Sequence, residues 1–171
     1  MSKRDLKKYL SELSKDQIQD QILELYTKFP EVKNYYDFVF NPNEEKLLRE
    51  AKIKISNEYF PLKTKRAKMR RSTAQKIIKH FISLGVDSFV VADLMLYNIE
   101  IAQVYSSNTK IANEAFFKSF LNSFHQTISF MIEKGILFDF KNRLEKISVE
   151  VYRQKWYNKS EFSATLERIG G

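Results

Sequence analysis

Apolar side chains recur along most of this chain every three or four residues, the spacing that gathers them on one face of an α-helix. Leu6, Tyr9, Leu10 and Leu13 predict a first short helix over about residues 3–13. Ser14 followed by Gln17 is a capping box, in which each side chain meets an otherwise orphaned backbone N–H. It opens a second helix through Ile18, Ile22, Leu25 and Phe29, which Pro30 ends. Residues 31–40 predict a third helix carrying Tyr35, Tyr36, Phe38 and Phe40. Asn41-Pro42 reads as an N-cap followed by proline at the first helical position. The fourth helix turns Leu47, Leu48, Ala51 and Ile55 inward and stops before Pro61.

KTKRAKMRR, residues 63–71, has no apolar period and predicts a loop. Ser72 with Gln75 repeats the capping-box signature. The fifth helix uses Ile77, Ile78, Phe81 and Leu84, and Gly85-Val86 predicts a Schellman end. Asp87 caps a sixth helix reaching about Tyr105, where length and Ala92, Leu94, Met95 and Leu96 outweigh the β-branched residues. After a polar turn at 106–109, a long seventh helix carries Phe116, Phe117, Phe120, Leu121, Phe124, Ile128 and Met131 up to Gly135-Ile136. An eighth helix runs from about Phe138 to Trp156, and a ninth after Asn158 holds Phe162, Leu166 and Ile169. The expected fold is all-α: one domain over 1–171, a multi-helical bundle or a short stack of helical hairpins. Residues 1–40 are a candidate semi-independent lobe.

Composition narrows this picture. Four glycines and three prolines in 171 residues leave too few turns for a β-sandwich or barrel. The absence of cysteine removes disulfides and thiolate chemistry and suits a reducing compartment. MSKRDLKKYL lacks the apolar core of a signal peptide. The most apolar window, residues 84–105, carries Asp87, Asp93 and Glu100, each costing about 3 kcal/mol near a bilayer centre. It reads as a buried core helix, and the expectation is a cytoplasmic protein without a membrane span.

Charge changes the picture most. The net charge is +8, from 29 basic and 21 acidic residues. Residues 63–80 hold eight lysines and arginines and no acid, so the remainder balances at 21 against 21. The basicity is one local feature. Lys63, Lys65, Arg66, Lys68, Arg70, Arg71, Lys76 and Lys79 are therefore the candidate anion or nucleic-acid contacts. Arg70 and Arg71 stand just before the fifth helix, whose N-terminus already favours anions. The functional expectation is a non-enzymatic binding module seating phosphate groups of a nucleic-acid backbone or an acidic protein. The plain alternative is a solvated run, or one paired with Glu44, Glu45 or another acidic stretch. The helix after Gly85 is apolar with only acidic charges, which argues strongly against a helix-turn-helix reader.

Asp93, Tyr97 and Glu100 share one face of the sixth helix. With His80 or His125 they make a conceivable carboxylate enzyme or metal site; pairing with lysines, arginines or backbone is the simpler expectation. No His-Glu-x-x-His motif, glycine-rich phosphate loop or nucleophile elbow is present, so no catalytic residue, metal or cofactor is assigned. The Phe116, Phe120 and Phe124 stripe is expected in the core. Tyr35, Tyr36, Tyr97, Tyr105 and Trp156 supply aromatics for a homo-oligomer face, the second functional expectation.

The segments KFPEVKNYYDFVFNP, KISNEYFP and RRSTAQKIIKHFISLGVDSFVVADLMLYNIEIAQ together resemble a family of small bacterial proteins known only as a domain of unknown function. The resemblance extends from SKRDLKKYLSELSKDQ to about Phe162. It implies a bacterial cytoplasmic protein and brings no activity, ligand or catalytic residue.

Overall fold

A computed structural model describes residues 2–63 and 66–170, and among these there are nine helices and no strand. They are α1 (Lys3–Ser11), α2 (Lys15–Lys28), α3 (Pro30–Phe40), α4 (Glu44–Tyr59), α5 (Arg71–Leu84), α6 (Ser88–Asn108), α7 (Glu114–Lys134), α8 (Leu137–Arg153) and α9 (Lys159–Gly170). The fold is all-α. The chain divides into two compact units, residues 1–43 and 44–171.

The first unit holds α1 to α3. Ser2 with Asp5 and Ser14 with Gln17 form reciprocal capping boxes that start α1 and α2. Pro30 opens α3 immediately after Phe29. Tyr26 of α2 donates to Asp37 Oδ1 at 2.8 Å and its ring lies 6.5 Å from that of Tyr36, so α2 and α3 are tied by a polar tip and a ring contact. No side chain of the three helices is buried. The inward positions expected on α2 are open instead: Leu25 and Phe29 are 44% and 49% exposed. Asn41 ends α3 and α4 begins at Glu44, so Pro42 is not the first residue of α4. The N-cap reading of Asn41-Pro42 is corrected by two residues.

In the second unit α6 is the central element, packed against α4, α5, α7 and α8. Its apolar residues encircle the helix, the pattern of an element buried on most sides. Val91, Ala92, Leu94, Leu96, Ile99 and Ala102 are closed from solvent. Asp87 caps it by accepting from the Phe89 N–H at 2.8 Å. It continues to Asn108, because Ser106 and Ser107 turn their hydroxyls back onto the Gln103 and Val104 carbonyls rather than opening the expected turn. The Phe116, Phe120 and Phe124 stripe is buried as expected and meets Trp156 and Phe162, with Phe124 and Phe162 centroids 4.9 Å apart. Trp156 is thus core, not an oligomer face. α5 and α7 both end at a left-handed glycine. The Val86 N–H reaches Phe81 O at 3.2 Å and the Ile136 N–H reaches Met131 O at 2.9 Å, closing both Schellman ends. No helix among the described residues is long and apolar enough to cross a membrane.

Candidate cationic surface and groove

Glu58, only 7% exposed in the last turn of α4, ties residues 68–70 to the end of that helix. Its backbone carbonyl accepts from the Lys68 and Met69 N–H groups, both at 2.9 Å. Met69 takes a left-handed φ of 51° to make that double contact. The Glu58 carboxylate accepts from Arg70 Nε at 3.0 Å, Arg70 Nη2 at 2.8 Å and Thr73 Oγ1 at 3.0 Å, and from the Arg70 backbone N–H at 3.3 Å. Arg70 is the N-cap of α5 and offers no side-chain cap of its own. The expected Ser72–Gln75 capping box therefore does not form. Glu58, twelve residues upstream, brings the anion that the helix N-terminus favours. Hydrogen bonds from the Arg70 side chain, against burial and with help from Thr73, hold the Glu58 carboxyl below the usual carboxylate range.

This divides the predicted cations. Arg70 is neutralised by Glu58. Arg71, the first residue of α5, is partly buried and forms no ion pair among the described residues. Its Nε donates to Ser123 Oγ at 2.7 Å, its Nη2 to Gln126 Oε1 at 3.1 Å, and the Gln75 amide oxygen lies 2.7 Å from Nη2 when turned toward it. Neutral oxygens thus fix the fork without cancelling its charge, and burial lowers its pKa. Lys63 and Lys68 share with Arg70 a hollow of about 280 Å³ at the end of α4. Lys76 and Lys79 are exposed one turn apart on α5. Lys63, Lys68, Lys76 and Lys79 make no ion pair among the described residues. Arg66 is exposed, and Lys65 lies outside the described residues. Glu44, expected as a partner of the basic run, instead accepts from the Asp87 backbone N–H at 2.9 Å.

A groove of about 490 Å³ runs between α5 and α7 over α6, with both Lys79 and Glu133 in its lining. Ile78 and Lys79 of α5 face Gln126 and Phe130 of α7 across a floor of Met95 and Asn98. Asn98 is 2% exposed, and its Oδ1, itself closed from solvent, has no hydrogen-bond partner among the described residues.

The acidic face of α6 resolves differently. Arg143 of α8 spans Asp93 and Glu100, with its Nη2 2.8 Å from Glu100 Oε2, and Lys52 of α4 closes on Asp93. Lys52 also lies 5.2 Å from the Tyr97 ring. Burial would raise the Asp93 pKa, but hydrogen bonds from Lys52 and Arg143 outweigh it and leave the pKa lowered. His80 is exposed on α5, and His125 meets Thr165 at 2.9 Å. Among the described residues no three acids or histidines gather as a metal site. These carboxylates act as ties between α4, α6 and α8.

Sequence reasoning found the cations but missed Glu58, Ser123, Gln126 and Asn98. Only Glu58 carried a signal, as an acid placed shortly before a basic run. No curated protein and no solved structure matches the chain. Residues 1–170 match the family of unknown function DUF6155, and the chain belongs to that family.

Proposed function

We propose that the protein is a non-enzymatic binding module whose surface around residues 63–79 docks an acidic protein. The observation that carries this reading is the incomplete neutralisation of the basic run. Glu58 takes up Arg70, while Lys63, Lys68, Lys76 and Lys79 stay exposed without a carboxylate among the described residues. Met69 within the stretch, and Leu62 and Ile82 flanking it, are apolar and exposed, at 37%, 88% and 48%. Cations mixed with apolar side chains suit a protein surface better than a phosphate track, which uses a continuous positive groove with stacking aromatics. The test is binding of labelled poly-L-glutamate and of a labelled DNA duplex across a salt series. Poly-glutamate should bind at low salt. Reversing Lys63, Lys68, Lys76 and Lys79 to glutamate should weaken it at least about ten-fold with helicity unchanged. No poly-glutamate binding at low salt ends the reading, and binding of the duplex alone transfers the surface to nucleic acid.

A second reading, self-association, has its own observation in the first unit. Residues 1–43 leave Leu6, Tyr9, Leu23, Leu25, Phe29, Val39 and Phe40 more than two-fifths exposed. A unit this small, without disulfides, commonly needs an added surface to become stable. With seven basic and seven acidic residues it is neutral, so a second copy meets no net repulsion.

A further inference from the structure

We propose that a second copy of this chain seats on the first unit by laying its α1 along α2, each copy giving one helix and receiving the other. The inference deepens the self-association reading and rests on it. The first unit is neutral as a whole, but its charge is segregated. Residues 3–11 carry four cations and one acid, whereas residues 12–43 carry three cations and six acids. Within those stretches one spacing occurs twice with opposite sign. On α1, Lys3, Lys7 and Leu10 fall at i, i+4 and i+7; on α2, Asp16, Asp20 and Leu23 do the same. Side chains at that spacing share one face of a helix. A parallel alignment of α1 with the second copy's α2 therefore sets Lys3 against the partner's Asp16, Lys7 against the partner's Asp20 and Leu10 against the partner's Leu23.

The second observation is that the chain does not pair these charges itself. Lys3, Lys7, Asp16 and Asp20 are exposed and form no ion pair among the described residues. Other charges of the unit are engaged: Glu24 with Lys28 at 2.5 Å, Asp37 with the Tyr26 hydroxyl and Asp5 with the start of α1. Within the chain α1 and α2 meet through Gln21 Nε2, which donates to the Tyr9 hydroxyl at 2.7 Å. Tyr9 and Gln21 each lie roughly a third of a turn from the charged face of their helix, so that contact leaves both charged faces open. Like charges four residues apart weaken a helix, and Lys3 with Lys7 and Asp16 with Asp20 are both such pairs. Opposite charge from a second copy relieves both at once. The leucines add apolar contact, Leu23 being 55% exposed. A two-fold axis repeats the arrangement, because a copy that receives α1 on its α2 offers its own α1 in return.

The test is sedimentation of the full-length protein and of two charge-reversed variants, Lys3→Glu with Lys7→Glu and Asp16→Lys with Asp20→Lys. The unaltered protein should dimerise, less tightly as salt rises. Each variant alone should associate at least about ten-fold more weakly, since reversal sets like charge against like on both sides of the two-fold axis. An equimolar mixture of the two variants should recover the dimer, because the acidic α1 of one then meets the basic α2 of the other. Charges paired within one chain would stay mismatched in both variants, so recovery on mixing reports pairing between copies. Circular dichroism checks that each variant keeps its helicity, and the salt series uses the unaltered protein. A dimer that neither variant weakens, a dimer that salt leaves unchanged, or a mixture of folded variants that stays monomeric overturns the inference. Dimerisation lost in Phe29→Ser but kept in both charge variants overturns it while leaving the self-association reading in place. A constant monomer mass at every concentration removes both. If that monomer binds poly-L-glutamate or phosphatidylglycerol vesicles and loses the binding in Lys3→Glu with Lys7→Glu, α1 passes to that partner instead.

Discussion

Glu58 is the residue on which the candidate surface turns. It accepts two backbone N–H groups at its carbonyl and four donors at its carboxylate, and so fixes where α5 begins and which arginine remains uncompensated. Because its folded-state pKa lies below the ordinary glutamate value of 4.5, its stabilisation is fully present above that value. The stabilisation is lost as pH falls through the lowered folded-state pKa. Glu58→Gln should therefore cost about 1–2 kcal/mol near neutral pH. The gap from the unaltered protein should narrow as pH falls below 4.5 and through the lowered folded-state pKa. Urea unfolding of both proteins at several pH values checks this, and a gap independent of pH would contradict it. Asp93 follows the same sign, its lowered pKa arising from Lys52 and Arg143 against the opposing effect of burial. Neither role was legible from spacing alone. Glu58 and Arg70 are twelve residues apart on separate elements, and Arg143 lies fifty residues from Asp93.

Helix ends show what local pattern carries and what it does not. Gly85 and Gly135 were readable because a left-handed residue before an apolar one is a position where glycine is favoured, and both adopt φ near 70°. The end of α8 follows the same geometry without glycine. Lys155 has φ 55°, its N–H reaches Tyr152 O at 3.0 Å, and the Trp156 N–H reaches Val151 O at 3.1 Å. The pattern therefore predicted α8 to run on to Trp156, whereas it stops at Arg153. The strain is held in place by Trp156, which is 2% exposed and packs on Phe116 and Phe117. Lys155→Gly should stabilise the protein by about 1 kcal/mol, since glycine adopts that conformation without a Cβ penalty. Gly85→Ala should destabilise it by about 1 kcal/mol. An added Cβ at Gly85 meets nothing within 4 Å, so that cost is backbone strain alone. Thermal unfolding of the two variants should show shifts of opposite sign; equal shifts would refute the account.

The two units differ in kind. Residues 44–171 own a core built around α6 and α7, whereas residues 1–43 have none, although the apolar periodicity of both looks alike. If the apolar side chains of α1 to α3 are covered by a second copy, amide exchange over residues 3–40 should slow as protein concentration rises. Amides of α6 should be protected at every concentration. Sedimentation should show the matching rise in mass, and Phe29→Ser should abolish both effects. Concentration-independent exchange with a constant monomer mass would remove the self-association reading.

Helix number, the capping box of α2, the two glycine ends and the buried character of α6 were determined by the sequence itself. Each follows from interactions within a few residues or from a periodicity visible along one element. The localisation of charge was likewise a property of composition. Which arginine is neutralised by a carboxylate, and which is held by neutral oxygens, were decided only by the tertiary structure. Those facts arise from side chains on helices far apart in the chain. Charge and hydrogen-bond partners act through distance in space, which separation along the chain does not encode.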